Sequence, residues 1–474
     1  MAKQNAQPPK GTRDFLPAAV RQRQYAISVI RKVYEAYGFE PLETPTLERL
    51  DALSGKYGEE GDQLMFKVLL RGQPLVQGIE QAAALLTQPG ALIEGRSGKT
   101  APGVAVLLAD LGLRYDLTVP LARTYAAHQA ELPAVFKRYQ IQPVWRADTP
   151  GKGRFREFYQ CDVDVVGSTS LLVEAEVAGA AVECVRRLGF TEFSMRLNHR
   201  GLLRAVVERA GIEPAREVDA ITAIDKLDKV GKDGVDRELA ERGVAEGARA
   251  ALLGLLEGGA SLERVEQFLA GHAAGQQAIG ELRRVLELSQ ETAAAGQLRF
   301  DLALARGLGY YTGCIFELAS PKFGGSLGGG GRYDGLIGLF LGRAVPACGF
   351  ALGFERLLLL MEEGGLFPAD LAALDVLLGA TSEEAAAELL GTARELRALG
   401  LVVSLLPKPE KPGKLRKLAE DQQARHAVWL EGGRYQLWTR EGDTSLRDLE
   451  RPTLLAALAL RSSAGASAHG ERAR

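Results

Sequence analysis

The sequence predicts an α+β fold, and three features of the chain support this prediction. "VFKRYQIQPVWR" and "RFREFYQCDVDVVG" read as strands joined by the loop "ADTPGKG", which indicates an antiparallel hairpin. Residues 203–297 are rich in Ala, Glu, Leu and Arg and have a helical period. After Pro368, "LDVLLGA", "SEEAAAELLGTARELRALG" and "LVVSLL" follow in a β–α–β order, which is typical of an α/β unit. We therefore expect an antiparallel sheet core flanked by helices, a helical insertion and a C-terminal α/β domain.

The remaining elements can be assigned in chain order. "AVRQRQYAISVIRKVYEAYG" predicts a helix that ends at Gly38 and leads into an extended segment. Residues 67–110 are loosely patterned and look like an insertion, whereas "FGGSLGGGGRYDGL" leads to the helical "GFERLLLLMEEGG". The predicted domains are the two parts of the sheet domain (1–202 and 298–366), the helical insertion (203–297), the α/β domain (372–462) and a disordered tail (463–474).

The composition indicates a soluble globular protein, since 46% of the 474 residues are hydrophobic and 25% are charged. Its four cysteines form no CxxC pair, so neither a zinc site nor a disulfide framework is indicated. No apolar signal region or membrane-spanning stretch is visible, and we expect a cytoplasmic protein without membrane contact. The formal charge of −2 argues neither for nor against nucleic-acid binding.

The second strand of the hairpin has an unusual order of charges. Alternate residues of a strand share a face, and one face here changes from cationic to acidic along Arg154, Arg156, Phe158, Gln160, Asp162 and Asp164. A solvated sheet face is the ordinary explanation of such a row. However, the charges are segregated, and Arg146 adds to the basic end. Such a face suits a ligand with an anionic half and a cationic or donor half, such as a nucleotide phosphate beside an amino acid.

The chain resembles the histidyl-tRNA synthetases, which are class II aminoacyl-tRNA synthetases. The resemblance covers most of the chain and rests on motifs in family order: "PKGTRDFLP", "GFEPLETPTLE", "GLRYDLTVPLAR", "VWRADTPGKGRFREFYQCDVDVVG", "IDKLDKVG", "LARGLGYYTG", "GGGGRYDGL" and "GFALGFERL". The forms "RYDLTVP" and "FYQCDVD" are similar to the eukaryote-type branch.

This resemblance implies an ATP-dependent histidine–tRNA ligase with a class II catalytic domain. Histidine would react with ATP, bound with Mg²⁺, to give histidyl-adenylate, and the histidyl group would pass to the 3′ end of tRNA(His). No metal site in the protein itself is implied. The family also implies a homodimer formed through the Pro45 region, and a C-terminal domain that binds the tRNA anticodon.

The resemblance assigns three arginines to the ATP phosphates. Arg146 matches the second-motif arginine, Arg356 in "GFERL" the third-motif arginine, and Arg306 in "LARGLGYY" an arginine particular to this family. A planar guanidinium that keeps its charge suits phosphate oxygens, which explains the demand for arginine. A single arginine is more often a surface residue than a ligand-binding one. Three arginines at matching motif positions instead favour a phosphate-binding role.

Other residues match the histidine site. Asp116 and Thr118 match the side facing the amino group, and Gln160 and Asp164 match the side facing the carboxylate and ring. Tyr310 and Tyr311 fit the wall of the imidazole pocket. Adjacent strand residues face opposite ways, so we expect one of the two to belong to the core and Tyr311 to be the ligand-facing residue.

The resemblance also gives candidates for tRNA contact. Lys152 and Arg154 lie in the loop expected to meet the acceptor end of the tRNA. One departure concerns the site, because Gly309 stands where the family has an aspartate. The alternative function is therefore a catalytically impaired paralogue with a regulatory or tRNA-sensing role. Exchange of pyrophosphate into ATP in the presence of histidine would distinguish the two.

Overall fold

The computed structural model of the chain describes residues 5–56, 58–87, 104, 107–257, 259–305, 310–368, 371 and 374–459. The chain divides into two compact units. The larger comprises Met1–Phe15 and Arg23–Leu366, and the smaller comprises Leu16–Gln22 and Phe367–Arg474. Among the described residues, no helix is both long and apolar enough to cross a membrane.

The helices up to residue 363 include the predicted helix that ends before Gly38 and the predicted helix of "GFERLLLLMEEGG". Their bounds are α1 (Pro17–Ala36), α2 (Leu50–Leu53), α3 (Gly58–Leu64), α4 (Gln73–Leu86), α5 (Thr118–His128), α6 (Leu172–Arg187), α7 (Arg200–Arg209), α8 (Glu217–Ile224), α9 (Leu227–Glu241), α10 (Glu246–Leu256), α11 (Leu262–Phe268), α12 (Ala273–Ser289), α13 (Gly338–Leu341) and α14 (Phe354–Glu363). Most residues of helix α6 are buried, and the helix packs against the sheet.

The strands of the larger unit are β1 (Glu40–Pro41), β2 (Leu47–Arg49), β3 (Lys67–Leu69), β4 (Ala109–Leu113), β5 (Phe136–Trp145), β6 (Glu157–Val166), β7 (Ser194–His199), β8 (Leu298–Phe300), β9 (Cys314–Ser320), β10 (Phe323–Arg332) and β11 (Ala347–Gly353). In the described part of the chain, eight of them form one sheet in the order β1-β5-β6-β11-β10-β9-β7-β8. Only the outermost pairs, β1–β5 and β7–β8, are parallel. The predicted α+β fold with an antiparallel core is confirmed.

Strands β5 and β6 form the predicted hairpin. They pair antiparallel, with Arg138 opposite Asp164 and Gln142 opposite Gln160. Since residues of equal parity share a face, this register places a row of polar side chains from both strands on the same side of the sheet.

Residues 200–289 are largely helical, as the sequence predicted for 203–297. They hold helices α7 to α12, and α12 packs against both α6 and α7. These helices belong to the same compact unit as the large sheet. Their description as a separate insertion domain stays a prediction.

The segment 67–110 is more ordered than its loose sequence pattern indicated, as far as it is described. It contains β3, the helix α4 and the start of β4, and β2, β4 and β3 form a three-stranded antiparallel sheet. The pattern was obscured because each strand is short and α4 leaves Val76 and Ile79 exposed. Residues 88–103 and 105–106 lie outside the described part.

The smaller unit has the predicted α/β arrangement. Its elements are β12 (Val376–Ala380), α15 (Ala386–Ala398), β13 (Val403–Leu405), α16 (Pro412–Asp421), β14 (His426–Glu431), β15 (Arg434–Thr439) and β16 (Thr444–Leu449), followed by helical residues 451–459. The sheet order is β13-β12-β14-β15-β16. One apolar cluster contains α15 residues and a second contains α16 residues, so the two helices cover opposite faces of the sheet. The predicted tail, 463–474, lies outside the described residues.

Candidate active site

A cavity of about 530 Å³ lies against strands β6, β10 and β11 of the large sheet. It brings together nine of the residues singled out in the sequence: Asp116, Thr118, Arg146, Arg154, Gln160, Asp164, Tyr310, Tyr311 and Arg356. Lys152 is not among its described lining residues. Arg306 and Gly309 lie outside the described part of the chain.

The polar row of β6 forms one wall of the cavity. Gln160, Asp162 and Asp164 all line it, and they are only 7%, 2% and 3% exposed. The intervening Cys161 and Val163 are buried on the opposite face. For these three residues a solvated sheet face is wrong, since they are nearly excluded from water and their polar groups must find partners within the protein. The prediction that Arg154 and Arg156 share the strand face is also wrong, because β6 begins at Glu157 and Arg154 is exposed in the loop.

Asp164 is held by two partners. Arg138 places Nη2 2.7 Å from Oδ2 of the carboxylate, and the Tyr333 hydroxyl donates a hydrogen bond to Oδ1. Burial raises the pKa of Asp164 to about 6, while Arg138 and Tyr333 oppose that rise. Near neutral pH the side chain is thus a carboxylate that can accept a further hydrogen bond from a ligand.

Asp162 is a second buried carboxyl on the same wall. Nε2 of Gln160 donates to its Oδ1 over 3.1 Å. Burial raises its pKa to about 7; Arg138 lowers the pKa and the charge of Asp164 raises it. Asp162 therefore changes its protonation state near neutral pH, which its place in the sequence row did not indicate.

The basic end of the cavity is organised around Arg146. Its Nε donates to the carbonyl oxygen of Tyr115 over 3.0 Å, and Nη2 donates to Oε1 of Gln160 over 3.0 Å. The guanidinium lies 4.3 Å from the ring centroid of Tyr115 and 5.2 Å from that of Phe158. These contacts fix the plane of the guanidinium, as bidentate recognition of a phosphate requires.

The hairpin loop carries further cations of two kinds. Arg154 lines the cavity and lies 3.7 Å from Asp148, which also lines it. Lys152 instead forms an exposed ion pair with Glu363 at the end of α14. The loop thus presents Arg154 to the cavity and Lys152 to the surrounding surface.

Arg356 lies in the first turn of α14 and is tied to the backbone around it. It donates to the carbonyl oxygens of Ser326 and Gly153. The preceding residue, Glu355, receives two hydrogen bonds of 2.8 Å from Arg23 and an ion pair of 2.5 Å from Arg13. Burial raises the pKa of Glu355, but the two arginines lower it by more, so that it falls below its usual value.

Asp116, Thr118 and the two tyrosines form a further wall. Asp116 is buried and its Oδ1 accepts the backbone N–H of Val119, at the start of α5. The Tyr310 hydroxyl is hydrogen-bonded to Thr118, and the rings of Tyr310 and Tyr311 lie 4.8 Å apart. Both tyrosines precede β9 and line the cavity, so the expectation that they face opposite sides of a strand is wrong.

A glycine makes room for the Asp164 carboxylate. A Cβ on Gly349 of β11, the residue paired with Asp164, would lie 1.9 Å from Asp164 Oδ1. No side chain can be accommodated there without displacing the carboxylate. In "GGGGRYDG", Gly328, Gly329 and Gly330 of β10 also line the cavity, so backbone forms part of its wall.

Sequence reasoning missed Arg138 and gave no separate role to Tyr333 or Asp162. Tyr333 lies inside a quoted motif, so the motif contained the signal. Arg138 could have been found from the hairpin register, which places it opposite Asp164. Among the described residues, no group of three or more His, Cys, Asp and Glu side chains is arranged to hold a metal ion.

The comparisons with known proteins agree with this geometry. The family model described as "Histidyl-tRNA synthetase" matches residues 107–357. A curated "Histidine--tRNA ligase" from Christiangramia forsetii is 39% identical over 428 residues, covering 89% of this chain and 91% of that protein. Another from Gloeobacter violaceus is 45% identical over 378 residues, covering 75% of each chain. Both relatives are bacterial, so the eukaryote-type branch is not supported.

Solved structures give the same picture. A histidyl-tRNA synthetase from a Nostoc species matches with a TM-score of 0.77 and 27% identity, covering 97% of this chain and all of that chain. A protein from Bacillus halodurans described as an ATP phosphoribosyltransferase regulatory subunit/histidyl-tRNA synthetase matches with a TM-score of 0.70 and 22% identity. The second likeness concerns the fold alone.

Proposed function

Because the chain belongs to the histidyl-tRNA synthetase family, we propose that the cavity on its large sheet is where histidine and ATP react. The chain is an ATP-dependent histidine–tRNA ligase, as its relatives at 39% to 46% identity indicate. It activates histidine as histidyl-adenylate and transfers the histidyl group to the 3′ end of tRNA(His).

The observation that carries the site assignment is the presence of several arginines and buried carboxylates in one cavity. Its lining includes Arg146, Arg154 and Arg356 together with Asp116 and Asp164. The nucleophile of the first step is a carboxylate, which is already ionised and needs no general base. The protein must chiefly hold this carboxylate in line with the α-phosphorus and neutralise the phosphates.

The arginines serve the phosphate half of that reaction. In this proposal Arg146 binds the α-phosphate of ATP, and Arg356 binds the remaining phosphates of the triphosphate. Arg306 also binds the α-phosphate; this assignment rests on its match to the family motif. ATP enters with Mg²⁺, which neutralises part of the phosphate charge.

The carboxylates and tyrosines serve the histidine half. Asp116 and Thr118 receive the α-ammonium group, while Gln160 orients the substrate carboxylate. Asp164 accepts the ring N–H of the imidazole between Tyr310 and Tyr311. An amino acid without that ring donor would leave the buried carboxylate without its hydrogen bond, which is a strong source of discrimination.

The remaining assignments follow the family. Lys152 and Arg154 are the tRNA-contact candidates of the catalytic unit, and residues 372–462 form the anticodon-binding domain. We propose a homodimer that associates through the Pro45 region, acting in the cytoplasm. A monomer in sedimentation at micromolar concentration would contradict the dimer.

The impaired-paralogue alternative is not favoured. Its motivation was Gly309, whereas the identity to curated histidine–tRNA ligases extends over 89% of the chain in one comparison. The test is exchange of labelled pyrophosphate into ATP with and without histidine. Exchange that depends on histidine supports the proposed site, and its absence in correctly folded protein would leave the alternative.

A further inference from the structure

The N-terminal segment Pro9–Phe15 lies against the hairpin loop 146–156. The carbonyl oxygen of Gly11 accepts the backbone N–H of Arg156 over 2.8 Å. Gly11 has a φ of +87°, and a Cβ there would lie 2.8 Å from Cγ of Arg156. The segment is therefore fitted closely to the loop, at a position that requires glycine.

Arg13 of this segment contacts two different parts of the cavity lining at once. Its guanidinium carbon lies 3.3 Å from the ring centroid of Phe155 in the loop, and Nη2 lies 2.5 Å from Oε2 of Glu355 in α14. The Arg13 side chain is 33% exposed and that of Glu355 only 5%. One planar cation thus links the loop to the first turn of α14.

We propose that Arg13 is a positioning residue that sets the loop 146–156 against Arg356 and so shapes the phosphate half of the site. Phe155 follows Arg154, and Glu355 precedes Arg356, so both contacts of Arg13 lie next to an arginine of the cavity. This inference rests on the proposed assignment of that half to ATP.

The negative charge of Glu355 is compensated even without Arg13. Arg23 already makes two hydrogen bonds of 2.8 Å to the Glu355 carboxylate. Loss of Arg13 therefore leaves the buried carboxylate paired, and a large loss of stability is not expected. The substitution removes only the contact between the loop residue Phe155 and α14. Its effect on the position of the loop can therefore be measured without a large effect on the stability of the unit.

The variants test this link in the full-length protein. Arg13→Gln removes both contacts, whereas Arg13→Lys keeps a charge near Glu355 but loses the planar group that stacks on Phe155. In histidine-dependent pyrophosphate exchange, Arg13→Gln is expected to raise the KM for ATP about tenfold, and Arg13→Lys should give an intermediate KM for ATP.

The KM for histidine should stay within about twofold of the wild-type value in both variants, because the histidine half is built from other elements. Lys10→Gln, at an exposed position of the same segment, is the matched control.

Limited trypsin digestion provides a second measurement that does not depend on activity. The loop contains Lys152, Arg154 and Arg156 as cleavage sites. Cleavage there, identified by mass spectrometry, is expected to be faster in Arg13→Gln than in wild type, and unchanged in Lys10→Gln.

Three results would overturn the inference: unchanged KM for ATP, equal rises of both KM values with a lower melting temperature, or unchanged cleavage of the loop. If the wild type itself shows no exchange, the proposed function fails. The digestion then still decides whether Arg13 holds the loop.

Discussion

Arg138 and Asp164 face each other across the β5–β6 hairpin, and the guanidinium Nη2 lies 2.7 Å from the carboxylate Oδ2. Their side chains are 0% and 4% exposed, so neither charge can be stabilised by bulk water. Asp164 lines the cavity, whereas Arg138 is not among its described lining residues. Arg138 therefore affects a ligand through the carboxylate that it holds.

Replacement of Arg138 by methionine leaves Asp164 as a buried carboxylate without its cation. We expect Arg138→Met to lower the free energy of unfolding by about 3 kcal/mol, measured by urea denaturation. The double variant with Asp164→Asn should recover much of that loss, because the uncompensated charge at position 164 is removed. Lys137→Met, which removes a partly exposed pair with Glu176 and a hydrogen bond to the carbonyl oxygen of Tyr37, is the control and should cost about 1 kcal/mol. Equal losses at both positions would contradict the buried-pair explanation.

Protonation of Asp162 makes the free energy of unfolding depend on pH. Its pKa is about 7 in the folded protein against a usual value of 3.8, so the folded state binds the proton more tightly. The stability from this proton is present at low pH and is lost as the pH rises through about 7. Between pH 6 and pH 8 the loss is about 1 kcal/mol.

Asp162→Asn should remove that part of the slope, because an amide does not titrate. We expect the variant to be more stable than wild type at pH 8 and to show a smaller change between pH 6 and pH 8 in urea denaturation. An equal slope in both proteins would show that another group is responsible.

The two strands of the hairpin show how far the sequence could lead. Residue parity alone predicted that Gln160 and Asp164 share a face, because a strand has only two faces. Parity could not predict that Asp162 is nearly excluded from water, since burial depends on what covers the sheet. Arg138 was missed because its meaning comes from the register between strands, which no single strand contains. The tyrosines at 310 and 311 were misjudged because they lie in an irregular segment, where strand alternation does not apply.

Arg146→Ala tests the phosphate half of the site. The arginine is held in place by backbone and Gln160 contacts before any ligand binds. In the proposed function, its charge is thus preorganised for the charge that develops at phosphorus. We expect kcat of pyrophosphate exchange to fall about a hundredfold or more. Arg343→Ala, at an exposed position, is the control. A change in the KM for ATP alone would argue against a role in the transition state.

Arg306→Ala tests an assignment that rests on the family motif. We expect adenylate formation to suffer more than histidine binding, because the charge that Arg306 would meet develops mainly in the transition state. The loss in kcat should correspond to about 3 kcal/mol or more. Equilibrium binding of histidine, measured separately by calorimetry, should change little. An unchanged kcat with a raised KM would refute the role.

Helix α16 of the smaller unit offers a test of the anticodon assignment. Lys414 and Lys417 are exposed, whereas Arg416 lies 5.4 Å from the ring centroid of Trp429 and so helps to pack the helix on its sheet. The two lysines are therefore the candidate phosphate contacts of this helix; Lys417 is exposed, and Lys414 Nζ lies 2.6 Å from Oε1 of Glu410. Loss of such contacts weakens binding of nucleic acid and reduces its dependence on salt.

The double variant Lys414→Gln/Lys417→Gln should raise the KM for tRNA(His) severalfold, while histidine-dependent pyrophosphate exchange remains at the wild-type rate. Exchange needs no tRNA, so it reports on the catalytic unit alone, and an unchanged melting temperature shows that the smaller unit is folded. Glu420→Gln, on the same helix and also exposed, is the control, and removal of its negative charge should not weaken tRNA charging. If the lysine variant charges tRNA with an unchanged KM and salt dependence, the helix does not contact the phosphate backbone. The smaller unit would then have to bind the anticodon through another surface, or serve only to stabilise the protein.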